Sequence, residues 1–236
     1  MLVWNPWHGC HKISQGCKNC YVYSKDMTFG KDSSIVTKTS NFNLPLKKNI
    51  NGQYKLTGGE LIYTCITSDF FVEEADSWRK DAWDIIDKRK DLTFLIITKR
   101  ADRFFYSLPS NWKDGYDNVI ISCTVENQSR ADYLLPIYLK LPIKHKSITC
   151  SPILERIDFS DYLNFVEELV VGGESGSNAR VCDYDWILDI RNQCISAGIK
   201  FWFYQTGAKF RKNGKIYYIQ RKFQHSQAQK ANIDIL

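Results

Sequence analysis

The chain has 236 residues, of which 44% are hydrophobic and 25% are charged, a composition that excludes an intrinsically disordered protein. It contains no run of about 18 apolar residues, which excludes a membrane-spanning helix, and its formal net charge of +6 is compatible with nucleic acid without requiring it. The first residues lack the basic and apolar regions of a signal peptide, so we expect a protein of the reducing cytoplasm whose clustered cysteines serve metal binding or catalysis.

Taken in order, the chain begins with a segment rich in Cys, His, Gly and Trp that ends in a predicted helix at 19–27. Residues 28–58 are polar, and we interpret them as an irregular insertion. Short β-branched and aromatic runs then alternate with amphipathic stretches. The runs predict strands at 61–66, 93–98, 118–122, 146–150, 168–172 and 200–204. The stretches predict helices at 75–90, 101–108, 129–141, 159–166 and 184–197, and residues 208–236 are predicted to form a C-terminal hairpin and tail.

This alternation predicts the α/β class, with one domain over residues 1–236 and a parallel sheet, because the strands are apolar enough to be buried on both faces. A single β/α barrel, partial or complete and TIM-like, suits the number of units better than a doubly wound sheet, since no Gly-rich turn follows the first strand. Polar residues follow all six strands, and they predict a shared pocket at the carboxyl ends of the strands. The alternative is that these loops are polar only because they are solvated.

Three of the eight cysteines lie close together, as Cys10, Cys17 and Cys20. Thiolates are ligands of iron–sulfur clusters and of zinc. Three thiolates on a [4Fe–4S] cluster leave one iron open to a small molecule, whereas a structural zinc takes a fourth ligand, which His8 or His11 would supply. We predict an N-terminal iron–sulfur loop, with zinc as the alternative. The other five cysteines mostly fall within predicted strands and helices and are expected to be buried thiols.

The cysteine loop and the strand ends together resemble the radical S-adenosylmethionine superfamily. The fuller resemblance is to a phage-associated branch with a longer cysteine loop, and it covers residues 3 to about 207. The motifs that carry it are Trp4-Asn-Pro6, Gly9-Cys10, Cys17-Lys-Asn-Cys-Tyr21, Thr67-Ser-Asp-Phe70, Thr98-Lys-Arg100, Val125-Glu-Asn-Gln128 and Gly172-Gly-Glu-Ser-Gly176. The chain departs from the usual patterns at Asn19, where an aromatic residue is common, at Ser151, where an acidic residue is common, and at Tyr204, where Lys is common.

The resemblance implies a radical enzyme with a [4Fe–4S] cluster, S-adenosylmethionine as cofactor, and an electron donor such as flavodoxin or ferredoxin as partner. The residues it implies for binding S-adenosylmethionine are Ser68, Asp69, Lys99, Ser122, Thr124 and Glu126. Within the branch, the resemblance is to a lyase that cleaves queuine, or a related 7-deazaguanine, to its aminomethyl-deazaguanine precursor for queuosine salvage. The residues expected to bind this substrate are Glu174, Ser175, Asn127, Tyr204 and Gln205.

A 7-deazaguanine presents an amine and a ring N–H side by side, and a carboxylate can accept both. Glu126 and Glu174 are the glutamates at the strand ends, and Glu174 is favoured because the glycines around it let the backbone approach a flat ring. The alternative is that these glycines only shape a turn and that Glu174 is solvated.

Two other functions stay open at this point. The first is a radical enzyme that acts on nucleic acid, since the aromatic content of 14% and the basic C-terminal hairpin are typical of a strand-binding surface. The second is a zinc-stabilised binding module that is not an enzyme.

Overall fold

The structure is a computed structural model that describes residues 2–236, and it has the mixed α/β architecture that the alternating pattern predicts. The strands are β1 (Leu2–Trp4), β2 (Trp7–His8), β3 (Thr37–Lys38), β4 (Leu61–Thr64), β5 (Thr93–Thr98), β6 (Val119–Thr124), β7 (His145–Cys150), β8 (Glu168–Gly172), β9 (Val181–Asp183), β10 (Lys200–Gln205), β11 (Lys209–Lys212) and β12 (Lys215–Tyr218). The α-helices are α1 (Tyr21–Thr28), α2 (Asp76–Lys88), α3 (Gln128–Leu139), α4 (Tyr184–Ala197) and α5 (Gln224–Lys230).

The main sheet has seven strands in the order β1-β4-β5-β6-β7-β8-β10. The pairings of β4 with β1 and β5 are parallel, and so are those of β8 with β7 and β10, so the carboxyl ends of the paired strands lie side by side within each group. The predicted α/β class with a parallel sheet is therefore confirmed. A second sheet has the order β12-β11-β9, in which the β11–β12 hairpin is antiparallel and β11 is parallel to β9.

All six predicted strands belong to the main sheet, but its edge strand β1 was not predicted. With three residues before Asn5 and Pro6, β1 is too short to show a periodic pattern. The predicted helices at 101–108 and 159–166 are wrong, because the structure has only the 3-10 turns Ala101–Arg103 and Leu163–Phe165 there. Ser107 has a φ of 62°, which ends any helix before Pro109. In the segment at 159–166, Val166 is already extended, with a φ of −130° and a ψ of 156°, so the turn at Leu163–Phe165 does not continue.

The described chain divides into two compact units, each made of several segments. The first unit contains residues 2–11, Lys25–Ser122 and Leu141–His145, and the second contains Lys12–Ser24, Cys123–Lys140 and Lys146–Leu236. The first unit has an aromatic cluster in which Phe70 packs edge-on against Trp83 with ring centroids 4.9 Å apart. The second unit buries Ile187, Ile190 and Cys194 of α4, the helical spacing that the sequence showed.

The edge of β10 in the second unit is covered by the C-terminal residues. The N–H of Phe201 donates to the carbonyl of Ile235 at 3.0 Å, and the N–H of Ile235 donates back to Phe201 at 2.8 Å. The carboxylate of Asp234 accepts a hydrogen bond from the N–H of Phe203 at 2.8 Å. The backbone groups that a parallel sheet leaves unpaired at its edge are thereby satisfied at these positions.

None of the helices within residues 2–236 combines the length and the apolar character needed to cross a membrane.

Candidate functional site

The exposure of the eight cysteines separates them into two groups. Cys10, Cys17 and Cys20 are partly exposed, whereas Cys65, Cys123, Cys150, Cys182 and Cys194 are buried. Burial raises the pKa of the Cys194 thiol to about 12 and that of Cys65 well above its usual value. A fully buried thiol is not accessible to a metal ion, so the partly exposed group contains the thiols that are accessible for metal binding.

Cys10 belongs to the first unit, where its backbone is fixed on both sides. The N–H of Gly9 donates to the carbonyl of Thr67 at 3.2 Å, and the N–H of Cys10 donates to Ser33 at 2.7 Å. Gly9 has a φ of 94°, and a Cβ there would collide with the carbonyl of Ile35, so no other residue fits. The hydroxyl of Ser68 donates to the carbonyl of Gly9. Ser68, one of the residues implied for S-adenosylmethionine, therefore holds the backbone beside Cys10.

A guanidinium and a carboxylate lie next to the Cys10 thiol. Nη1 of Arg100 is 3.5 Å from Sγ of Cys10 and 3.4 Å from Oδ2 of Asp69. Burial lowers the pKa of Arg100, but the negative charges of Asp69 and Cys10 outweigh this and raise it above its ordinary value. The guanidinium stays charged, and a cation beside a sulfur favours its thiolate form.

Asp69 joins the ends of β4 and β5. Its Oδ1 accepts a hydrogen bond from the Thr98 hydroxyl at 2.7 Å, and its Oδ2 accepts one from the N–H of Lys99 at 2.9 Å. Asp69 is buried, whereas the Lys99 side chain is half-buried. The two motifs that end β4 and β5 thus meet, as their positions at the same edge of a parallel sheet predict.

Cys17 and Cys20 belong to the second unit, in a loop that ends at the first turn of α1. The Ser14 hydroxyl lies 3.6 Å from Sγ of Cys17, and the N–H of Cys20 donates to the carbonyl of Cys17 at 3.3 Å. Burial raises the pKa of the Cys20 thiol above its ordinary value, and the N–H groups of Val22 and Tyr23 offset only part of this rise. These amides at the start of α1 are aimed at the sulfur, where they favour a negative charge.

Glu126 anchors the cysteine loop to the end of β6. Its side chain is fully buried, and Oε1 accepts a hydrogen bond from the N–H of Gly16 at 2.8 Å. The next residue, Asn127, is the N-cap of α3 and accepts a hydrogen bond from the N–H of Arg130 at 2.9 Å. Two of the predicted binding residues therefore have structural hydrogen bonds that the sequence did not reveal.

Glu174 anchors the same loop from the end of β8, through Arg180. Nε of Arg180 donates to Oε2 of Glu174 at 2.9 Å, and Nη2 donates to Oε1 at 2.5 Å. Nη2 also donates to the carbonyl of Gln15 at 3.0 Å, while Asn19 donates to Oε2 of Glu174 at 3.0 Å. Burial raises the pKa of Glu174, but the hydrogen bonds from Arg180 and Asn19 outweigh this and lower it below its ordinary value. Glu174 is thus an ionised anchor of the loop.

Gly173 and Gln205 bring the ends of β8 and β10 together. The N–H of Gly173 donates to the carbonyl of Gln205 at 2.9 Å, and the Gln205 side chain donates to the carbonyl of Gly173 at 2.7 Å. A Cβ at Gly173 would collide with the carbonyl of Thr206, so the glycine serves close backbone packing here. Ser175 is half-exposed, and the half-buried Tyr204 ring packs edge-on against His225 with centroids 4.4 Å apart.

Ser122 and Thr124 lie two residues apart on β6, so both side chains are on the same face of the sheet. Ser122 is 1% exposed and Thr124 is 3% exposed.

The residues described above lie within the part of the chain that matches a known protein family. A family model described as "Protein of unknown function (DUF5131)" matches residues 2–233. The chain belongs to this family. No curated protein and no solved structure matches the chain. The DUF5131 match includes the cysteine loop, every strand end described above and the C-terminal hairpin.

Sequence reasoning missed the two arginines that connect the cysteines of this DUF5131 chain to the strand ends. Arg100 stands in the motif Thr98-Lys-Arg100, for which the resemblance implies a binding role only at Lys99. Arg180 stands outside every motif, four residues after the glycine-rich turn. The signal that could have found both is electrostatic, because a buried strand-end carboxylate requires a cationic or N–H partner.

The three partly exposed thiols are the candidate ligands of an iron–sulfur cluster. Within residues 2–236, no three or more His, Cys, Asp and Glu side chains converge as ligands of a single metal ion. In a [4Fe–4S] cluster each thiolate binds a different iron, so the thiolates do not converge on one point. Arg100 beside Cys10, and the N–H groups of Val22 and Tyr23 beside Cys20, each favour the thiolate form that ligation of iron requires.

Proposed function

We propose that this protein is a radical S-adenosylmethionine enzyme with one [4Fe–4S] cluster on Cys10, Cys17 and Cys20. The observation that carries the proposal is that these three thiols are partly exposed while the other five are buried. When bound and reduced, the cluster would supply the electron that cleaves S-adenosylmethionine. In the same proposal the sheet is part of a partial or complete β/α barrel, the protein works in the cytoplasm, and a flavodoxin or ferredoxin is the electron donor.

The residues of the chain would bind and orient the cofactor. Lys99, half-buried beside Asp69, would pair with the carboxylate of S-adenosylmethionine. Ser122 and Thr124 would donate to its ribose from one face of β6, beside Glu126. Ser68 and Asp69 would act mainly by fixing the segments around Cys10 and Lys99, because their side chains already make hydrogen bonds within the protein.

For the substrate we propose queuine or a related 7-deazaguanine, which would make the protein a queuine lyase that releases the aminomethyl base. Oε2 of Glu174 already accepts three hydrogen bonds, from Asn19 and from two donors of Arg180. Oε1 accepts only from Arg180, so it has one acceptor position left for a base donor. The remainder of the ligand would contact Asn127, Ser175, Tyr204 and Gln205. Glu174 could accept hydrogen bonds from the base with both carboxylate oxygens only if Arg180 moved away.

The cluster proposal is tested by anaerobic reconstitution with iron and sulfide. The wild-type protein should become brown and hold about four irons per chain. Cys10→Ala, Cys17→Ala and Cys20→Ala should each lose the visible absorbance, while the matched control Cys194→Ala, at a buried thiol, should keep it. A complete cluster in Cys10→Ala would contradict the proposal, and a colourless protein with one zinc would favour the binding module.

The substrate proposal needs a separate measurement, namely 5′-deoxyadenosine and base products by mass spectrometry. Queuine should raise 5′-deoxyadenosine formation and give the aminomethyl base. Equal 5′-deoxyadenosine with and without queuine, and no aminomethyl base, would show the substrate assignment to be wrong while leaving the radical chemistry in place.

A further inference from the structure

The positive charge of the chain is concentrated at its C-terminal end. Residues 208–236 contain seven Lys and Arg residues and one acidic residue, Asp234, so this segment has a formal charge of +6. The whole chain has the same formal charge of +6, so the preceding 207 residues contain equal numbers of acidic and basic side chains. The net positive charge of the chain is therefore carried by the β11–β12 hairpin, α5 and the tail.

The same region of the second unit contains a cleft of about 540 Å³. Six of the residues that line it are aromatic, namely Tyr184, Phe203, Phe210, Tyr217, Tyr218 and Phe223. Lys212 and Lys230 line it as well. Three rings are open to solvent, since Tyr217 is 44%, Tyr218 is 78% and Phe223 is 46% exposed.

Cations and rings alternate across this surface. Nζ of Lys212 lies 4.4 Å from the ring centroid of Tyr184, Nζ of Lys215 lies 5.4 Å from that of Tyr217, and Nζ of Lys222 lies 4.8 Å from that of Phe223. Two of the three exposed rings, Tyr217 and Phe223, therefore have an ammonium group beside them, and Tyr218 is the most exposed ring of the three.

We infer that this cleft binds a single-stranded nucleic acid, with phosphates on the lysines and bases on the exposed rings. A single strand offers both an anionic backbone and flat, unpaired base faces, which are the two features that the cleft matches. A duplex hides its base faces, and an acidic peptide would leave the exposed rings unused. The contacts are to phosphate and base, so the site should accept RNA and DNA alike. This inference goes beyond the proposed lyase and does not depend on it.

The test is fluorescence anisotropy of the full-length protein with labelled oligo-U and oligo-dT of about 12 nucleotides, within the usual range for such sites. Both strands should bind with dissociation constants within a few fold of each other, and a duplex of the same length should bind at least about tenfold more weakly. The logarithm of the affinity should fall linearly with the logarithm of the salt concentration. Equal affinity for duplex and single strand, or no affinity for either single strand, would overturn the inference.

Variants can show whether binding depends on this cleft or on exposed charges and rings anywhere on the protein. Tyr218→Ala should weaken binding about fivefold or more, the usual effect of removing one stacking ring. Lys212→Ala should lower the salt slope by about 0.7, the share of one phosphate contact on a single strand. Tyr133→Ala is the matched aromatic control, because Tyr133 is 53% exposed on α3 with a cation of its own, Arg130. Lys140→Ala, at an exposed position after α3, is the charge control.

Both controls should bind like the wild type, and a loss of affinity in them equal to that in Tyr218→Ala would overturn the assignment to the cleft. All four variants change exposed side chains, and equal thermal midpoints would establish that each is folded. If a variant is unstable, Tyr218→Phe is used instead, and it should retain binding because it keeps the ring.

Discussion

At the scale of single residues, the Glu174–Arg180 pair has the most consequences. Glu174 is 6% exposed, and Arg180 connects its carboxylate to the carbonyl of Gln15 in the cysteine loop. The guanidinium fork is needed here, because it makes two hydrogen bonds to the carboxylate and still reaches the loop. The pair therefore fixes the segment that carries Cys17.

Removing this fork should destabilise the protein and loosen the loop. We expect Arg180→Met to lower the free energy of unfolding by about 1.5–3 kcal/mol, the usual value of hydrogen bonds to charged groups. Thiol labelling of Cys17 and Cys20 by a maleimide should become faster, and Arg180→Lys should be intermediate. Urea unfolding and mass spectrometry of the labelled, metal-free protein measure the two effects. Arg156→Met is the control, because Arg156 is largely exposed and 3.7 Å from its partner Asp189.

The pair also predicts a dependence of stability on pH. The hydrogen bonds of Arg180 and Asn19 overcome the effect of burial and lower the pKa of Glu174 in the folded state. A lowered folded-state pKa gives stability that is fully present above the ordinary glutamate pKa and is lost as the pH falls through the lowered value. The stability difference between wild type and Glu174→Gln should therefore shrink in urea titrations as the pH falls below the ordinary glutamate pKa and through the lowered value. A difference that stays constant or grows on acidification would contradict this assignment.

The residues of the site show how far sequence reasoning reached. The motifs around Asp69, Glu126 and Glu174 were recognised because they end strands, and strand ends can be read from apolar runs. Their partners, Arg100 and Arg180, were not recognised, because an ion pair between distant segments leaves no local pattern. The sequence therefore located the polar residues but did not reveal which of them already make hydrogen bonds or ion pairs within the protein.

At the scale of elements, the first unit shows how an irregular segment is held in place. Arg89, fully buried after α2, donates through Nη2 to the carbonyl of Leu56 at 2.7 Å and through Nη1 to the carbonyl of Pro45. Its Nε donates to Asp91 at 2.8 Å. One side chain thus makes hydrogen bonds to backbone carbonyls at both ends of the segment at 45–56. This segment lacks regular secondary structure beyond a 3-10 turn.

Arg89→Met should release this segment while leaving the sheet intact. Trypsin should then cut at Lys47, Lys48 and Lys55 about tenfold faster, because local opening would cost about 1.5 kcal/mol less. Limited proteolysis followed by mass spectrometry measures this, with Arg156→Met as the control of equal charge change. Unchanged cleavage at all three lysines would show that other contacts hold the segment.

Elements also differed in how well the sequence predicted them. Strands of five or six residues, such as β5 and β8, were predicted with their observed bounds because a buried strand is a continuous apolar run. The three-residue strand β1 and the 3-10 turns at 101–103 and 163–165 were not predicted. Their conformation is decided by tertiary contacts, such as the hydrogen bond of Arg103 to the carbonyl of Phe71, and not by a local pattern.

At the scale of the whole molecule, composition gave the total charge but not its location. A net charge of +6 that is spread evenly keeps a protein soluble. The same charge on 29 residues around an aromatic cleft attracts anions to that cleft. The hairpin was predicted, but the cleft behind it requires α5 and β10, whose packing against the hairpin no sequence pattern specified.

The covered edge of β10 has a consequence for behaviour at high concentration. An open strand edge is a template on which another copy can add a strand, which is a route to aggregation. Ile235→Pro removes the N–H that donates to Phe201, so it should expose this edge and cause self-association, measured by light scattering as a function of concentration. Leu236→Ala, at a residue that is 94% exposed, should stay monodisperse up to the same protein concentration as the wild type. The last few residues would then protect the protein from aggregation, because they occupy the strand edge on which a neighbouring molecule would otherwise pair.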